Sequence, residues 1–146
     1  MRVNLGCTAA AVAWLSLACA HADRGGGSAE GARSAAELFH HRARWKDYGG
    51  AALLLVPERR AAFEEARRHL GDARDLSIAE YQLEEISLGP DRRTARVVSH
   101  VSWHRLPSIT QHDDVVVTEL EWSEGSWLIA RQSGGPFGDE LSGGAK

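Results

Sequence analysis

The chain has 146 residues, room for one domain and little besides. With 43% apolar and 25% charged residues its composition is globular, and a net charge of −3 excludes a nucleic-acid binder, which needs a basic footprint to hold phosphates. Two cysteines, Cys7 and Cys19, are too few for a disulfide scaffold or a cysteine zinc site.

Residues 1–22 read as an export signal. Arg2 supplies the positive start, and Val3 to Ala18 carries no charge. That stretch is short for a membrane-spanning helix, which needs about 20 apolar residues. The cleavage site admits two readings. Ala18-Cys19-Ala20 and Ala20-His21-Ala22 both satisfy the small-x-small rule of ordinary signal peptidase. Leu15-Ser16-Leu17-Ala18-Cys19 also resembles a bacterial lipobox, in which the cysteine is acylated and becomes the first residue. On that resemblance residues 1–18 are a lipoprotein signal peptide, and Cys19 is the lipidation site that anchors the chain to a membrane. Ala20 after the cysteine is similar to the pattern of lipoproteins sorted to the outer membrane, facing the periplasm. The alternative is a soluble periplasmic or secreted protein. Residues 19–33, with four glycines, read as a flexible tether. Either processing leaves no second cysteine for an intramolecular disulfide, so a core over 34–133 must stabilise the fold alone.

Ser34-Ala35-Ala36-Glu37 is a capping-box sequence, and Leu38, Trp45, Tyr48 and Ala52 recur behind it at roughly helical spacing. Gly49-Gly50 predicts a bend or an end, and Ala51 to Val56 a buried second turn of helix. Pro57 suits the first position of a third helix. Its buried stripe would be Phe63, Ala66 and Leu70, its wet side the run of Glu and Arg that includes Arg67, and its stop Gly71.

After Asp75 the period changes to two. Leu76–Leu88 predicts a strand bulged at Glu84-Glu85, and Gly89-Pro90-Asp91 a turn. Thr94–His104, Val115–Trp122 and Trp127–Gln132 predict three more strands, the last two joined by a tight turn over Ser123-Glu124-Gly125-Ser126. Pairing Trp122 with Trp127 brings Leu120 to Ile129. Pairing Trp103 with Val116 brings Val97 to Trp122 and His100 to Glu119. One apolar face results: Ala95, Val97, Val101, Trp103, Val116, Leu120, Trp122, Trp127 and Ile129. Residues 134–146, rich in Gly and Ser, read as a disordered tail.

Tyr48 with Ala51-Ala52, Pro57-Glu58 leading to Phe63, Ala95-Arg96-Val97, Trp103 through Ser108, and Trp122 through Gly125 to Trp127 carry a resemblance. Helices followed by these strands resemble the nuclear transport factor 2-like, cystatin-related cone, and within it small bacterial exported lipoproteins. The resemblance implies an α+β fold, N-terminal helices packed on a curved antiparallel meander. It also implies an interior cone whose lining here would be Tyr48, Tyr81, Trp103, Trp122 and Trp127.

Enzymes of that superfamily place an Asp or His base inside the cone, and no residue aligns with one. No catalytic residue, cofactor or metal is therefore assigned. His100 and His104 share a strand face but lie about 13 Å apart along it, too far for one ion. The expected function is a membrane-tethered periplasmic domain that binds a small apolar ligand or an envelope protein. One alternative is an isomerase or dehydratase acting through Tyr48 or Tyr81 in the cone; the other is a structural subunit that forms a homodimer through the sheet.

Overall fold

The computed structural model describes residues 25–143. The export signal, its cleavage site and Cys19 lie outside the described residues. Ser28, in extended backbone, accepts a hydrogen bond from the Gly31 amide at 3.0 Å and opens α1 (Ala29–Arg44). The helix thus begins well before Ser34, and residues assigned to the tether form its first turn. Ser34 and Glu37 are interior positions, where Glu37 pairs with Arg33 at 3.6 Å. The buried stripe is Ala32, Ala36, Phe39, His40 and Ala43 rather than the one through Leu38 and Trp45. Three alanines let the helix approach the sheet closely while Phe39 supplies the bulk. Trp45 is left 70% exposed.

Asp47 caps α2 (Tyr48–Ala52) by accepting from the Gly50 amide at 2.9 Å, so Gly49-Gly50 lie inside a helix instead of ending one. The apolar run that follows is helical only as far as Ala52. Leu55 instead forms a parallel bridge with Ile129, its neighbours Val56 and Leu54 exchanging backbone hydrogen bonds with Ile129 at 3.0 and 2.8 Å. This contact covers part of an otherwise bare sheet edge. Pro57 opens α3 (Pro57–His69), as its fixed φ favours. Phe63 and Arg67 are its buried residues; Ala66 is half-buried and Leu70 is 39% exposed. Gly71, at φ 66°, turns the chain into the short α4 (Asp72–Asp75).

Four antiparallel strands follow in the spatial order of the sequence: β1 (Leu76–Leu88), β2 (Thr94–Arg105), β3 (His112–Ser123) and β4 (Ser126–Ser133). Bulges decide which side chains point inward. In β1 the register slips between Ile78 and Glu80 and again between Leu83 and Glu85, so Ile78, Tyr81, Leu83 and Ile86 all reach the same side. In β4 it slips opposite Glu119 and Leu120: Leu120 faces Ile129, and Glu119 faces Arg131. Ala130 is the extra residue, Arg131 turns out to solvent, and Gln132 turns in.

Trp122 faces Trp127 and Leu120 faces Ile129, as the pattern predicts. The β2–β3 pairing differs: Trp103 faces His112, Val97 faces Thr118 and His100 faces Val115. The connecting loop is tighter than expected, and the register moves by four residues along β3. Because that shift is even, every side chain keeps its face. All nine residues of the predicted apolar face accordingly pack in or against the core, with Trp103 and Trp122 partly covered. The exposed His100 ring lies 3.1 Å from Glu84 rather than beside Glu119.

The segment after β4 folds back onto the core over residues 134–143. Gly134, at φ 77°, leads into a 3-10 turn (Gly135–Phe137) and α5 (Gly138–Leu141). Phe137 and Leu141 are fully buried, so residues read as a tail close one end of the core. Phe39, Phe63 and Phe137 meet with ring centroids 5.5–5.7 Å apart and fill the space between helices and sheet.

Candidate functional site

Each strand sends one polar side chain into the interior beneath α1: Tyr81 from β1, Ser99 from β2, Thr118 from β3 and Gln132 from β4. They are direct or diagonal cross-strand neighbours. Gln132 faces Thr118, Val97 and Ser99 face Thr118 and Val116, and Ser99 and Val101 face Leu83 and Tyr81. His40 of α1 completes this belt. Its ring stacks on Tyr81 with centroids 4.2 Å apart and a 20° tilt. The Gln132 amide donates to Thr118 Oγ1 at 3.0 Å and lies 3.3 Å from His40 Nε2. Which of the two donates depends on the His40 tautomer, and this contact ties the ring to β4. Burial drives its pKa down to about 3, because the charged imidazolium is disfavoured away from water.

The belt is sealed. His40, Ser99, Thr118 and Gln132 are at most 2% exposed. His40 Nδ1 and Gln132 Oε1 are buried without a hydrogen-bond partner. A general acid or base must reach the atom it protonates or deprotonates, and nothing from solvent reaches this imidazole. The arrangement orients α1 on the sheet, because only one placement of the helix matches His40 to Gln132 and Tyr81.

A second constellation joins the helices to the sheet end. Asp72, fully buried, accepts from Arg67 at 2.6 Å and from Arg105 at 2.9 and 3.3 Å. Arg67 also pairs with Glu140 and lies over the faces of Phe63 and Phe137, at 5.1 and 4.7 Å from their centroids. Arg67 was expected on the wet side of α3; it is drawn in because Asp72 and Glu140 compensate its charge there. Tyr48 donates to the Asp72 carbonyl at 3.2 Å. Its pKa is pushed up to about 12, by burial first and by the Asp72 charge second. A recess of about 220 Å³ opens beside Tyr48, Gly49 and Arg67. Its cations, Arg67 and Arg68, are already paired, the latter with Glu65 and Glu64.

The five aromatic residues expected to line a cone do not share one cavity. Tyr48 belongs to the ion network and Tyr81 to the belt. Trp103, near the β2–β3 loop, stacks on His112 at 4.4 Å and donates to Asp114 at 2.8 Å. Trp122 and Trp127 meet at 5.4 Å near the opposite end of the sheet. The residues that sequence reasoning missed are His40, Gln132, Thr118 and Ser99. One usable signal was Arg131, a charge at a position that strict alternation from Ile129 would bury, which points to a bulge. Among the described residues no cluster of His, Cys, Asp and Glu could hold a metal ion. No described helix is long and apolar enough to cross a membrane.

The larger recesses lie elsewhere. One of about 450 Å³ is bordered by Ser87, Arg96, Glu119, Glu121 and Arg131. A second, also about 450 Å³, shares Glu121, Ala130 and Arg131 with it and continues to Glu58, Arg59 and Gly143. Both are rimmed by charges of both signs.

No protein-family model and no curated protein matches the chain. Solved structures do. A SEC-C motif containing protein from Rhodopseudomonas palustris is 14% identical with a TM-score of 0.59, over 75% of this chain and 82% of its own. The intermembrane space region of the chloroplast protein ARC6 is 12% identical with a TM-score of 0.51, over 73% and 95%. A conserved protein from Planctomyces limnophilus is 16% identical with a TM-score of 0.50, over 72% and 92%. The likeness is one of fold: an α+β arrangement of helices followed by a four-stranded antiparallel sheet. At such identity a shared fold carries no shared function.

Proposed function

We propose that this chain is a non-catalytic lipoprotein domain of the nuclear transport factor 2-like, cystatin-related cone type. It is held by Cys19 to the outer membrane, faces the periplasm, and recognises a protein partner across its surface. The observation that carries this reading is the filled interior. Three phenylalanines occupy the middle of the cone, and the His40 imidazole inside it is 2% exposed. A small apolar ligand needs an apolar cavity, and the recesses present are charged surface depressions that suit a protein. The isomerase or dehydratase alternative gains one feature, His40 stacked on Tyr81, but lacks a path for substrate.

Two measurements test the proposal. Wild type and Cys19→Ser are expressed in a diderm host, the envelope is fractionated, and the mature N-terminus is weighed. The expected outcome is an acylated Cys19 in the outer-membrane fraction and a soluble Cys19→Ser protein. A wild-type product starting at His21 or Asp23 overturns the anchor. Titration of the soluble domain with a steroid and a fatty acid is expected to give no heat of binding; saturable binding of either overturns the closed-interior reading.

A further inference from the structure

The glycines ahead of α1 are close-approach positions. The Gly27 amide donates to the Arg92 carbonyl at 2.8 Å, and Arg92 Nε donates back to the Gly27 carbonyl at 3.2 Å. Trp127 Nε1 donates to the Ser28 carbonyl at 3.0 Å. A Cβ on Gly27 would stand 2.2 Å from the Trp127 ring, and one on Gly26 2.6 Å from Arg92 Cβ. Gly25–Ser28 is therefore a strap laid against the end of the sheet that holds both tight turns, Gly89–Arg93 and Ser123–Ser126. The Leu106–Gln111 loop closes the opposite end. Thr94 and Trp103 on β2 mark the two ends, nine residues and about 30 Å apart.

Resting on the anchor at Cys19, we propose that the two-turn end of the sheet is the surface that faces the lipid bilayer, and that the Leu106–Gln111 loop points away from it. The argument is one of chain length. Cys19 and Gly25 are six Cα steps apart, at most about 22 Å when fully extended. The strap carries the point of departure to the two-turn end, so the far end cannot reach the same membrane without peeling the strap off. Arg92 and Arg93 face that surface together with Asp91 and Glu124, all exposed. Equal numbers of each sign mean that the short leash, not lipid charge, sets the orientation. The exposed apolar side chains of the distal loop, Leu106 and Ile109, are then presented to the periplasm.

The test uses the full lipidated chain in phosphatidylethanolamine–phosphatidylglycerol vesicles with an acceptor dye on the headgroups. Acylation consumes the thiol of Cys19, so a single donor dye can be placed by S126C at the two-turn end or by S108C in the far loop. Expected is greater energy transfer from position 126 than from position 108, unchanged between low and high salt. Inserting about ten Gly/Ser residues between Arg24 and Gly25, a length that behaves as a flexible coil, should erase the contrast while the chain stays lipidated. Equal transfer without the insertion, or greater transfer from position 108, overturns the orientation; a contrast that survives the insertion overturns the leash as its cause. A chain recovered unlipidated in the soluble fraction overturns the anchor and the orientation together.

Discussion

His40 is a titratable group kept neutral inside a protein, and its energetic consequence has a definite sign. Its pKa is about 3 in the fold against 6.5 in the open chain, so the unfolded state takes up a proton that the native state refuses. The contribution is fully present above pH 6.5 and is lost as pH falls toward 3. Between pH 7.5 and 5 the loss is about 2 kcal/mol from this residue alone. Urea unfolding of wild type and His40→Leu at both values checks this. The variant is expected to be less stable at pH 7.5 and to show a pH dependence smaller by about that amount; equal dependences would mean that His40 protonates freely in the fold. Asp72 poses the converse case. Two arginines converge on one buried carboxylate, and Asp72→Asn leaves Arg67 buried beside a neutral amide. The expected cost is roughly 3–5 kcal/mol by chemical denaturation, the range seen when one member of a buried pair is removed.

At the scale of elements, α1 shows how tertiary contact selects among local signals. Two serines could cap it. Ser34 heads the better capping-box sequence, yet Ser28 caps, because the strap before it is held by Arg92 and Trp127. Ser28→Ala is expected to cost about 1 kcal/mol and Ser34→Ala less than about 0.5 kcal/mol, read from the two thermal midpoints. The reverse order would place the helix start at Ser34. In β4 the element-scale device is the bulge at Ala130, which trades Arg131 for Gln132 on the inner face and so supplies the partner for His40.

For the molecule as a whole, closure depends on its last elements. Phe137 touches both Phe39 and Phe63, and Glu140 reaches back to Arg67, so the C-terminal turn is tied to α1 and α3 at once. Phe137→Ala is expected to cost roughly 3–5 kcal/mol through lost burial and the cavity left behind. A chain ending at Ser133 should lose its cooperative thermal transition in circular dichroism; a truncated chain that melts like the full one would show that the segment only decorates the domain. On the outer sheet face Arg96, Glu119 and Arg131 are exposed, with Arg131 3.9 Å from Glu119.

By itself the sequence determined the class of fold, the limits of four strands within a few residues, the start of α3 at Pro57, the β3–β4 pairing, and the membership of the apolar face. These are readable because they follow from local chemistry: a period of two, a fixed proline φ, a tight turn that sets a hairpin register. Only the tertiary structure decided the β2–β3 register, since pairings an even number of residues apart put the same side chains on the same face and the apolar pattern cannot separate them. It also decided the inner polar set. Whether His40, Gln132 or Arg67 is buried depends on a partner far away in the chain, Tyr81, Thr118 or Glu140, and burial without that partner costs more than it returns. Pairing of that kind is a property of two positions at once, and no periodicity along a single strand or helix contains it.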